Sequence, residues 1–210
     1  MILENKNVEY TLNIIQDEFS ESPDRWENND IFLVYDHRQF NVKRENFDPH
    51  SIFTHLEAKR QIEKSEITLN GKSTVEEYSE DLNPEYDKYW IFGVDAYIHS
   101  GINLSLSNTK DYPDRKWDVS TTGYILVRKT FNPSGKNFEN NEEEAENYAE
   151  GLIETWNKFL SGDVWGYEIV KSIKCKCCGN TEETVEDSCW GFYGENECKE
   201  EGELILKNYK

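Results

Sequence analysis

The chain is predicted to be an α+β protein: a mainly antiparallel sheet, one long amphipathic acidic helix and one or two shorter helices. Three observations predict this. Strand-like runs come before and after a single helix of strong period near residue 150. That period holds over four turns, from Asn141 to Leu160. The sequence is only 36% hydrophobic, but its 28 Phe, Trp and Tyr residues are enough to build a core.

In chain order, Val8 to Ile15 alternates loosely and reads as a strand. The polar stretch from Ser20 to Asn29, with Pro23, reads as a loop. Ile31 to Tyr35 is a short apolar run suited to a buried strand. Asp48-Pro49 is a helix start, with Asp as cap and Pro in the first turn. Ile52, Phe53, Leu56 and Ile62 continue that helix to about Lys64. Asn70-Gly71 marks a turn, and Thr74 to Leu82 a short acidic helix stopped by Asn83-Pro84. Tyr89 to His99 and Ile102 to Leu106 are paired strands joined at Ser100-Gly101, and Thr121 to Lys129 is another strand. A turn follows at Asn132 to Gly135. Ala145, Tyr148, Ala149, Leu152, Ile153, Trp156, Phe159 and Leu160 form the apolar face of the long helix, which Ser161-Gly162 ends. Val164 to Lys171 and Thr184 to Tyr193 are two more strands around a cysteine-bearing turn. A single domain over residues 1–210 is expected, with an acidic insertion near 67–87 and a cysteine-bearing hairpin near 171–198.

The charge is unevenly placed. The chain has 42 acidic and 23 basic residues, a net of −19. Glu76–Asp87, Glu139–Glu154 and Glu182–Glu203 hold six, seven and nine acids and a single base, Lys199. The rest of the chain is close to neutral. Acid clustered in this way repels nucleic acid and anionic membrane, and attracts proteins that grip phosphates. On a helical wheel Glu139, Glu143, Glu146, Glu150 and Glu154 fall within about 60° of one direction, opposite the apolar face. The first base spaced to pair with this stripe is Lys158, four residues after Glu154. Like charges at this spacing weaken a helix by roughly 0.2–0.5 kcal/mol per pair. The stripe is therefore a small net cost to folding, and the same pattern serves equally as a solvated face. Glu76, Glu77, Glu80 and Asp81 form a second acidic cluster.

There is no run of 18 apolar residues, and the N-terminus lacks a basic stretch followed by an apolar one. A cytoplasmic protein with reduced cysteines is expected. All five cysteines lie between Cys175 and Cys198. Cys175 and Cys178 form a C-x-x-C-G, the usual half of a zinc knuckle, but Cys189 and Cys198 are too widely spaced for the usual second half. A structural zinc on Cys175, Cys178, Cys189 and Cys198, with Cys177 as a further candidate, stands beside a hairpin of metal-free thiols. Walker A, G-x-G-x-x-G and H-E-x-x-H motifs are absent. The polar groups at predicted strand ends (His37 and Arg38, His99 and Ser100, Trp117 and Asp118) are candidates for a small-ligand site. Such groups more often serve as hairpin tips.

Several segments carry a resemblance. Asp187-Ser188-Cys189-Trp190-Gly191-Phe192-Tyr193-Gly194 resembles the terminal signature of a widespread, largely uncharacterised family of phage and mobile-element proteins. Further segments resemble the same family in the same order. They are Glu21-Ser22-Pro23 with Arg25-Trp26 and Asn28; His37-Arg38; Tyr97 with His99-Ser100-Gly101-Ile102; Trp117-Asp118; Gly123-Tyr124-Ile125; and Gly162-Asp163-Val164 with Gly166. Ile98 departs from the family's usual Asp, and the stretch from Ile67 to Asp87 is longer than usual. The resemblance implies a phage or mobile-element origin, an α+β fold and a helper role inside an infected bacterium, with no established chemistry.

Together these readings lead to one first expectation. It is a phage accessory protein, not an enzyme, that inhibits a host nucleic-acid-binding defence protein of the CRISPR or restriction kind. Its acidic surface would imitate phosphates without contacting nucleic acid or membrane. The alternative is a module that binds a nucleotide made as a defence signal, using His37, Arg38, His99, Ser100, Trp117 and Asp118. A metal-dependent enzyme is the third reading.

Overall fold

The structure is a computed structural model that describes residues 6–25, 30–66, 77–107, 109–112, 115–131, 138–176 and 178–209. The elements in chain order are β1 (Lys6–Gln16), β2 (Ile31–His37), β3 (Phe40–Val42), α1 (Pro49–Glu66), β4 (Tyr89–Ile98), β5 (Ile102–Leu106), α2 (Arg115–Asp118) and β6 (Val119–Arg128). They continue with α3 (Glu142–Ser161), β7 (Val164–Cys175), β8 (Thr181–Tyr193) and α4 (Glu195–Leu206). Both sheets are antiparallel, so the fold is α+β as expected. The chain divides into two compact units: Met1–Pro23 with Lys158–Lys210, and Asp24–Asn157.

In the first unit three strands pair in the order β1-β7-β8. Alternation along β1 sends Tyr10, Leu12 and Ile14 to the face where they meet Tyr167 and Ile169 of β7 and Cys198 of α4. Lys158 at the base of this unit donates to the Tyr193 carbonyl (3.0 Å) and to Glu197 Oε1 (2.7 Å), tying α3's end to the start of α4.

In the second unit five strands pair in the order β3-β2-β6-β4-β5. Phe32 and Val34 of β2 and Leu126 of β6 pack with Ile52 of α1 on one face. On the other, Leu33, Ile125 and Val127 are fully buried. There Trp156 of α3 meets the ring of Phe40 edge-on at 5.6 Å. A bulge between Val94 and Ala96 leaves the buried Asp95 carboxylate to accept the hydroxyls of Ser107 (3.0 Å) and Thr121 (2.8 Å). The α1 cap is as expected: the Ser51 N–H donates to Asp48 Oδ2 at 2.9 Å. Asn141 caps α3 through its side-chain oxygen, which accepts the Glu144 N–H at 3.2 Å.

Some expectations are corrected. Glu139 lies in a turn before α3, outside the helix, because Asn141 is the cap. Leu82 ends a 3-10 turn over Ser79–Asp81 with only Glu77 and Tyr78 helical before it, so the described part of the Thr74–Leu82 segment is not a continuous α-helix. The cysteine-bearing hairpin closes at Tyr193, and Cys198 belongs to α4. The strand β3 and the helices α2 and α4 were not anticipated. The turns expected at Asn70-Gly71 and Asn132–Gly135 lie outside the described residues.

Candidate functional site

The long helix α3 presents two opposite faces. Ala145, Ala149, Leu152, Ile153 and Trp156 are buried. Glu143, Glu146, Glu150 and Glu154 are all exposed. These four glutamates span twelve residues, eleven steps of 1.5 Å or about 16 Å. None of them pairs with a basic side chain among the described residues. Four bases of the same unit are engaged elsewhere: Lys59 with Asp87 at 2.7 Å, Arg60 with Glu57, Lys88 with Glu85, and Arg128 with Asp30. Lys158, spaced to pair with Glu154, turns instead to Glu197. Among the described residues no base therefore neutralises the acidic face. Glu139 is exposed in the turn before the helix, so it extends the acidic surface without belonging to the helical stripe.

The second acidic cluster is more dispersed. Glu77, Glu80 and Asp81 are exposed around the 3-10 turn, and Glu76 lies outside the described residues.

The alternative residues gather at one end of the five-stranded sheet. His37 closes β2, and Arg38 stands exposed in the turn to β3. His99 and Ser100 occupy the turn between β4 and β5, while Trp117 and Asp118 end α2 as it enters β6. The antiparallel order puts the end of β2, the start of β6 and the end of β4 side by side. His99 Nδ1 lies 3.3 Å from Asp118 Oδ2. Tyr97 stacks on Tyr112 with ring centres 5.0 Å apart and planes 5° from parallel, and on His99 at 6.2 Å. Tyr112 carries no signal in the sequence. It stands in a loop with no periodic signal, and only the β4–β5–β6 register brings it to Tyr97. A cleft of about 250 Å³ lies on the α1 side of the same end, lined by Asp36, His50, Phe53, Thr121, Thr122 and Tyr124.

The thiols do not converge. Cys175 ends β7 and Cys178 follows in the turn, whereas Cys189 is opposite Tyr167, eight residues back along β7. That is about 26 Å of strand. A zinc with ligands near 2.3 Å cannot take all four. Among the described residues no group of three His, Cys, Asp or Glu side chains is placed to hold a metal. Cys198 is fully buried, and burial, followed by Cys189 and Glu195, pushes its thiol up to about 11. Cys177 lies outside the described residues. No described helix is long and apolar enough to cross a membrane.

No family model matches the chain, and no curated protein or solved structure is significantly similar to it.

Proposed function

We propose that the protein binds a basic, phosphate-gripping surface of a nucleic-acid-handling protein and blocks it by occupying the place of nucleic acid. In its most specific form it is a phage accessory protein acting on a host defence system. The observation that carries this reading is the acidic face of α3, with Glu143, Glu146, Glu150 and Glu154 exposed and no base among the described residues committed to them. A solvated surface helix normally gains from i,i+4 partners of opposite sign, and this one forgoes them. Carboxylates at about 5 Å intervals along a rigid rod offer a Lys- or Arg-lined groove a line of acceptors at fixed positions. Glu139, Glu77, Glu80 and Asp81 enlarge the negative field that would steer such a partner.

The test is capture of partners from nuclease-treated bacterial lysate at low and high salt, with the E143K/E146K/E150K variant beside the wild-type protein. A nucleic-acid enzyme or effector held by the wild type at low salt, released by high salt and missed by the variant supports the reading. Equal retention by both proteins would mean that the stripe is only a solvated face.

A further inference from the structure

A different part of the molecule has the chemistry of a small-ligand site, and the case for it is independent of the acidic helix. Trp117 is 88% exposed, an unusual state for the largest aromatic side chain in a folded protein. It adjoins Asp118 on α2, and Asp118 is held by His99 at 3.3 Å. Through that contact the short helix bearing Trp117 meets the turn bearing His99, whose ring stacks on Tyr97 as Tyr112 does. The column is fixed at its far end, where the Tyr112 hydroxyl donates to Asn103 Oδ1 at 3.2 Å. It is open at its near end, where His99 is 66% exposed. His99 Nδ1 faces the Asp118 carboxylate at 3.3 Å, which leaves the other ring nitrogen, Nε2, for a ligand. Flat rings held parallel, an exposed indole and one oriented ring nitrogen are what a planar heteroaromatic group needs: stacking surface and a single directional contact.

We infer that this end of the five-stranded sheet binds the nucleobase of a free nucleotide, stacked against Trp117 and the His99 end of the ring column. Purines, with the larger stacking face, bind more tightly than pyrimidines. The net charge of −19 opposes a long polyanion and favours a mononucleotide over a strand.

The experiment is titration of the full chain with AMP, GMP, UMP, ribose 5-phosphate and a short single-stranded RNA, followed by calorimetry and by tryptophan fluorescence. Trp117→Ala and His99→Ala are the variants; both side chains are exposed, and circular dichroism checks their folding. Saturable binding of a purine nucleotide is expected, weakened roughly tenfold or more in each variant, as for loss of one stacking partner. Ribose 5-phosphate is expected not to bind. RNA that binds more tightly than the mononucleotide, and loses that binding in the same variants, would overturn the assignment to a free nucleotide. No saturable binding at millimolar nucleotide, equal binding of ribose 5-phosphate, or full binding by both variants would overturn the inference. The acidic helix is unchanged in these variants, so this result and that of the lysate capture are read separately.

Discussion

The indole of Trp190 on β8 lies across the α-carbon of Gly166, its partner on β7. A β-carbon at residue 166 would stand 2.2 Å from the ring. Glycine is therefore required there by a close approach: the aromatic ring covers backbone that a side chain would otherwise shield. The same pairing recurs in the other sheet, where a β-carbon at Gly123 would stand 1.9 Å from the ring of Tyr35. Two of the glycine-bearing segments singled out in the sequence thus have a packing explanation. Gly166→Ala is expected to force the half-exposed indole off the strand and to destabilise the protein by about 1–3 kcal/mol. In a Trp190→Ala background the same change should cost much less. Urea unfolding of the four proteins of this cycle checks it, and additivity of the two changes would show that ring and glycine are not coupled.

His55 is buried on α1, and its Nδ1 accepts the Asn83 N–H at 3.1 Å, which only an unprotonated Nδ1 can do. Burial pushes its pKa down, and the nearby Asp87 charge only partly opposes this. The folded state therefore binds this proton more weakly than the unfolded chain. The stability linked to His55 is complete above the ordinary histidine value, about 6.5, and is lost as the pH falls below it. Asp87 acts in a separate window. Burial pushes its carboxyl up, but the Lys59 hydrogen bond and charge, with His55 and Lys129, outweigh that, and its net shift is down. Its contribution is lost only as the pH falls below the ordinary carboxylate range. Melting temperature is expected to drop between pH 7 and pH 5, and His55→Gln to flatten that slope. An unchanged slope in the variant would place the effect on other groups.

The sequence made some of this legible and left the rest dark, for physical reasons. α3 was readable because its apolar period runs over four turns, which no short-range accident reproduces. The strands β4 and β5 were placed nearly to the residue because apolar runs meet at Ser100-Gly101. β3 has three residues and α2 four, too few for a period to appear. α4 was hidden because its acids and Gly202 mask a narrow buried face made of Cys198 and Gly202. His99 and Asp118 were separately visible as polar strand-end residues. Their contact depends on the register of β4 against β6, which only the folded sheet supplies.

The acidic face predicts its own energetic signature. Glu150 has a like charge four residues away on either side, Glu146 and Glu154, all exposed on α3. Glu150→Lys turns two repulsive pairs into attractive ones. Each reversal shifts a pair from unfavourable to favourable by roughly 0.2–0.5 kcal/mol in each sense, so a gain of up to about 1–2 kcal/mol at low salt is expected. The gain should shrink as salt rises. Thermal unfolding at two ionic strengths measures it. A variant that is more stable yet captures no partner would separate what the stripe does for binding from what it costs in folding, whereas no change in stability would show that the charges are already screened.

The thiols give the last prediction, because their accessibility and their register point the same way. Cys178 and Cys189 are exposed, whereas Cys198 is fully buried with its thiol pushed up to about 11. A thiol that far above neutral pH holds almost no thiolate, and a buried one offers no path to a reagent. Iodoacetamide followed by mass mapping is expected to modify Cys178 and Cys189 in the native protein and Cys198 only after unfolding. A zinc held by Cys175 and Cys178 would protect Cys178 and leave Cys189 reactive, since about 26 Å of strand separates the two ends of the hairpin. Elemental analysis of the purified protein, with the labelling repeated after a chelator, distinguishes the cases. Joint protection of Cys178, Cys189 and Cys198 that the chelator removes would require a strand register different from the one pairing Cys189 with Tyr167.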